Sequence, residues 1–127
     1  MITSFVLSLL ISMSALAQSE PKSIAVINKA DWCPVCEEHG KRAMKALKSN
    51  NKDGAVKFVA NNLTNAETKE ESAKKLKKYG LYKKMKSHNN TGVVFFFDAK
   101  TKELVDKISV SKPSKKLAEA VQQAKMD

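Results

Sequence analysis

The stretch Asp31-Trp32-Cys33-Pro34-Val35-Cys36, which follows the apolar run Ile24-Ala25-Val26-Ile27, decides how the chain is read. Two cysteines with two residues between them can close a disulfide within one short turn. Pro34 suits the first position of a helix, where its missing N–H costs nothing, so Cys33 becomes the cap and Cys36 lies one turn in. A sulfur at a helix start faces unpaired N–H groups and the positive end of the helix dipole, which favour the thiolate. That is the chemistry of thiol–disulfide exchange. A structural staple is the other use for such a pair. Closing a loop of about four residues constrains the unfolded chain by only about 2 kcal/mol, against about 3 kcal/mol for a loop of about 15 residues, and this small gain argues for redox chemistry.

Outward from the motif, Ser23 to Ala30 has an uninterrupted apolar centre, the pattern of a strand buried on both faces. Beyond Pro34, the residues Cys36, Gly40, Ala43 and Leu47 recur at helical spacing, and their small size predicts a helix lying close on the sheet. It runs out near Asn50-Asn51-Lys52-Asp53-Gly54. Val56 to Ala60 reads as a second strand. Thr64-Asn65-Ala66-Glu67 fits a capping box with Thr64 as the cap. It opens a Lys-rich helix whose thin apolar stripe is Ala66, Ala73, Leu76 and Tyr79, and which stops at Gly80. Leu81 to Gly92 yields no assignment. Val93 to Phe97 and Leu104 to Val110 form a hairpin around the polar turn Asp98 to Lys102. Pro113 and Ser114 open a last helix through Ala124, with Leu117, Ala120, Val121 and Ala124 on one face. The order βαβαββα predicts the α/β class, a mixed four-stranded sheet with helices on both faces.

At 127 residues the chain has the length of one domain, and its 43% hydrophobic content supplies one core rather than a disordered tail. Residues 2–17 carry no charge and end in Ala15-Leu16-Ala17, the small-x-small pattern of an export signal. The expected division is a signal peptide over 1–17 cleaved after Ala17, a short segment over 18–22 and a folded domain over 23–127, periplasmic or secreted. An uncleaved anchor is the alternative, because no Lys or Arg precedes the apolar run. That run is shorter than the roughly 20 residues of a spanning helix and is diluted by Ser8, Ser12 and Ser14, so no stable membrane insertion is expected after processing. The formal charge is +10, with Lys74-Lys75, Lys77-Lys78, Lys83-Lys84 and Lys86 prominent. No base-reading motif accompanies these lysines, so they read as a solvated helix face and not as a nucleic-acid surface.

A strand leading into Trp-Cys-x-x-Cys at a helix start, a second βα unit ending in Lys78-Tyr79-Gly80-Leu81, a hairpin and a closing helix together resemble the thioredoxin fold over nearly the whole mature chain. The resemblance implies a three-layer α/β/α sandwich. It also implies a monomer without bound cofactor that exchanges disulfides with protein thiols or disulfides and is recycled by a redox partner. It makes Cys33 the exposed attacking cysteine, Cys36 the buried resolving cysteine and Trp32 the aromatic beside the site. Pro34 and Val35 become the dipeptide that tunes redox potential. The family's cis-proline, which shapes substrate docking opposite the cysteines, is absent, and Thr91 and Gly92 of Asn90-Thr91-Gly92-Val93 stand in its place. Ile27 occupies the position of the family's buried acid, Ala60 that of the lysine that approaches this acid, and the proline that kinks the first helix is missing.

Two rival readings come from the same residues. Cys33, Cys36 and His39 form C-x2-C-x2-H, and His88 in the long loop supplies a fourth ligand for zinc or copper if it reaches the same end of the fold. The lost proline and acid motivate the other rival, a non-enzymatic binding module with a relic dithiol. The direction of electron flow stays open. Asp31, Glu37 and Glu38 disfavour a thiolate at Cys33, whereas Lys41, Arg42 and the helix end favour it.

Overall fold

The computed structural model describes residues 20–126, so the expected signal peptide and its cleavage point lie outside the described residues. Eight elements follow in order: β1 (Ser23–Lys29), α1 (Pro34–Ser49), β2 (Val56–Asn62), α2 (Ala66–Lys78), α3 (Tyr82–Met85), β3 (Val93–Asp98), β4 (Leu104–Ser109) and α4 (Ser114–Ala124). The strands form one sheet in the order β2-β1-β3-β4. β1 runs parallel to β2 and antiparallel to β3, and β3 pairs antiparallel with β4. This is the mixed four-stranded sheet expected from the sequence.

The two central strands are apolar on both faces, and their alternation sorts the core into two layers. Ala25, Ile27, Val94 and Phe96 face one way and pack against Ala43, Ala46 and Leu47 of α1 and Leu117, Val121 and Ala124 of α4. Ile24, Val26, Phe95 and Phe97 face the other way and pack against Leu76, Leu81 and Met85 around α2 and α3. Helices therefore cover both faces, giving three layers. Phe95, Phe96 and Phe97 are all fully buried, so the triple phenylalanine is core and not a ligand surface.

Helix ends are set by local chemistry. Gly80, at φ +72°, takes the left-handed position after α2. The Leu81 and Gly80 N–H groups then donate to the carbonyls of Leu76 and Lys77, and these two bonds close the helix end. At the front of α2 the cap lies one residue beyond the expected Thr64. Asn65 accepts the Thr68 N–H, and Thr68 Oγ1 in turn accepts the Asn65 N–H. Thr64 is not free to cap, because its hydroxyl accepts from the Asp31 N–H and bonds Asn62 Oδ1. The stripe differs accordingly: Leu76 and Ser72 are the buried residues of α2, whereas Ala66 is exposed. The unassigned region Leu81 to Gly92 holds the single turn α3 and a loop, too short for periodicity to register.

Candidate active site

Cys33 is the N-cap of α1 and Pro34 opens the helix, as the sequence predicts. Cys33 and Cys36 form a disulfide across the first turn, with Cα atoms 5.2 Å apart. Cys33 Sγ also accepts the Cys36 N–H at 3.2 Å, so one orphan donor of the helix start points at this sulfur. The exposures differ from expectation. Cys33, expected to be open, is only 3% exposed, while Cys36, expected to be covered, is half-buried. Folding Cys33 Sγ inward to cap the helix is what covers it.

Trp32 is 60% exposed beside the pair. Its indole N–H donates to the Thr64 carbonyl at 3.1 Å, which ties the tryptophan to the loop between β2 and α2. Gly92, just before β3, sits at φ +76°. A Cβ at this position would stand 3.1 Å from Val35 Cγ1 and 3.4 Å from Val35 Cβ. Gly92 thus meets Val35 in the dipeptide between the two cysteines. Its anchor is a residue the sequence reading missed. Asn28, fully buried at the end of β1, donates from Nδ2 to the carbonyls of His88 (2.7 Å) and Asn90 (3.2 Å) and accepts from Asn61 Nδ2 (2.9 Å). The Gly92 N–H donates to the Asn28 carbonyl at 2.8 Å. Asn28 directly follows an apolar run and sits opposite Asn61 in the β1–β2 register, and this polar pair is the signal that could have revealed it.

No family model matches the chain, and no curated protein matches it by sequence. Solved structures do. The thioredoxin of Malassezia sympodialis superposes with a TM-score of 0.55 at 18% identity, covering 86% of this chain and 82% of that one. Trxlp from Edwardsiella tarda gives 0.52 at 16% identity, covering 85% and 89%. StoA from Bacillus subtilis gives 0.50 at 17% identity, covering 80% and 84%. The fold is thioredoxin-like.

Within this thioredoxin-like frame the departures from the family pattern gather in one place. Ile27 is buried in the core, and Ala60 pairs with it across β1 and β2. Both line a groove of about 780 Å³ that runs beside α1 and reaches Cys36 and Gly92. Gly40 was expected to let α1 lie close on the sheet. Instead a Cβ there would meet nothing within 4 Å, because Gly40 faces this groove.

The expected metal ligands do not converge. The His88 ring lies 5.0 Å from that of Phe95, on the α2 and α3 face of the sheet, whereas the cysteines open α1 on the other face. His39 sits 3.4 Å from Arg42 through Nδ1 and 3.7 Å from Glu38 through Nε2. Among the described residues no group of three His, Cys, Asp or Glu side chains is placed to hold a metal ion. Arg42 donates to the Val110 carbonyl (3.0 Å) and Ser114 Oγ (3.1 Å), binding α1 to the segment between β4 and the start of α4. Among the described residues no helix is long and apolar enough to cross a membrane.

Proposed function

We propose that this chain is an exported thiol–disulfide oxidoreductase acting on protein thiols or disulfides through Cys33 and Cys36. The observation that carries the reading is the disulfide across the first turn of α1, with Cys33 Sγ as the helix cap. In the reduced pair the Cys36 N–H and the helix start favour Cys33 as thiolate, and we assign it as the nucleophile, which requires its sulfur, covered in the disulfide form, to turn outward on reduction. Its sulfur attacks a client disulfide, forming a Cys33–client bond and releasing one client thiolate. Cys36 then gives its proton to solvent and attacks Cys33 Sγ. This closes the Cys33–Cys36 bond and releases the second client thiolate. The client gains two electrons and the pair loses two; run in reverse, the same steps oxidise a client dithiol. A redox partner restores the pair, and the reaction needs no cofactor. Trp32, Val35, Thr91 and Gly92 frame the approach to the sulfurs.

Trapping tests this directly. Cys36→Ser is expected to accumulate mixed disulfides with clients, and Cys33→Ser/Cys36→Ser none. Disulfide reduction by the double variant at the wild-type rate would sink the reading. Mass mapping of the reduced protein after brief alkylation checks the roles: Cys33 is modified first if it is the nucleophile, and modification of Cys36 first exchanges the assignments.

A further inference from the structure

We propose that the groove between α1 and the β1–β2 side of the sheet docks an acidic client segment, a short extended peptide with apolar side chains on the floor and carboxylates against a lysine rim. The proposal rests on the exchange reading above for making the occupant a client. Its volume, about 780 Å³, falls in the range of about 300 to 1,000 Å³ typical of ligand sites. Ile27, Met44 and Ala60 supply an apolar floor, and Gly40 leaves its space unfilled. One end opens on Cys36 and Gly92, so an occupant lies alongside the redox pair.

The rim carries the charge argument. Lys29, Lys41, Lys45 and Lys48 line the groove and are exposed, and among the described residues none lies within 4 Å of a carboxylate. The carboxylates in the lining are Asp31 and Glu37, both at the cysteine end. Along α1 the rim therefore runs from Glu37 to Lys41, Lys45 and Lys48. This gradient sets a polarity: the client's carboxylates lie toward the end of α1, and its neutral, cysteine-bearing part lies toward Cys36. Basic clients are repelled by the same lysines, so the groove selects by sign as well as by shape.

The test uses the oxidised protein and a short peptide of Leu, Ser and Glu with no cysteine, so binding is read apart from exchange. The peptide is expected to shift the amide resonances of Ile27, Gly40 and Ala60, more strongly at low salt than at high. Gly40→Leu fills the groove and, as a helix-interior glycine replacement, should preserve or raise thermal stability while abolishing binding. Lys41→Glu/Lys45→Glu changes only exposed side chains and is expected to weaken binding at least about tenfold, which keeps the proposal testable should Gly40→Leu fold poorly. Equal binding of a peptide with Lys for Glu, unchanged affinity in either variant, or saturation by a fatty acid that the peptide cannot displace would each overturn it. The two readings fail separately. Client exchange without peptide binding removes the acidic client alone, and peptide binding to a chain whose double-serine variant is fully active removes exchange alone.

Discussion

Replacing Gly92 by alanine probes the contact on which the geometry of the site depends. Gly92 sits at φ +76°, where an L side chain costs roughly 1 to 2 kcal/mol. The added Cβ also meets Val35 Cγ1 at 3.1 Å, tighter than ordinary van der Waals contact. Val35 is 38% exposed and can give by a few tenths of an ångström, so the backbone term dominates and the steric term stays small. The expected loss is about 1 to 2 kcal/mol, lowering Tm by about 4 to 8 °C per kcal/mol for a domain of this size. Gly40→Ala is the matched control, because the same methyl group enters a helix with nothing within 4 Å and should stabilise by about 1 kcal/mol. Urea denaturation of both variants gives the two signs. A cycle with Val35→Ala separates the terms, since removing Cγ1 relieves the clash and leaves the backbone cost, with an expected coupling of about 0.5 kcal/mol. Gly92→Ala as stable as the wild type, or a cycle in which Val35→Ala restores all of the loss, would refute the reasoning.

Asn28→Ala strips the partners from two loop carbonyls and from Asn61 Nδ2 in a buried setting, and an unsatisfied buried group costs about 1 to 3 kcal/mol. Denaturation should show a loss in that range, with faster amide exchange concentrated in residues 86–92; a uniform change across the sheet would contradict the anchoring role. At the β3–β4 turn, the Thr101 and Lys100 N–H groups donate to the Asp98 carboxylate and hold it below the usual carboxylate range. A lowered folded value means that its stabilising effect is present above the ordinary aspartate range and is lost as pH falls through the folded value. Asp98→Asn should therefore flatten the acid limb of the stability profile, and an unchanged limb in acid melts would remove this assignment.

The helix start and both strands of the hairpin were legible because their signals are local. Pro34 after Cys33 fixes the cap, and the uninterrupted apolar run Val93 to Phe97 fixes a strand buried on two sides. The cap at Asn65 was misplaced by one residue because the competing partners of Thr64, Asp31 and Asn62, come from other elements or from the preceding strand end.

From the sequence alone came the order of the elements other than α3, the placement of helices on both faces of a mixed sheet and the cysteine pair at the start of α1. Each follows from the chain's own periodicity and capping chemistry, which act within a few residues. Only the tertiary structure decided that Cys33 is covered and Cys36 half-open, that Asn28 holds the loop bringing Gly92 to Val35, and that Ile27, Gly40 and Ala60 leave a groove instead of a close-packed seam. Those facts depend on which side chains meet across β1, β2 and α1, and such meetings are set by packing between segments far apart in the chain.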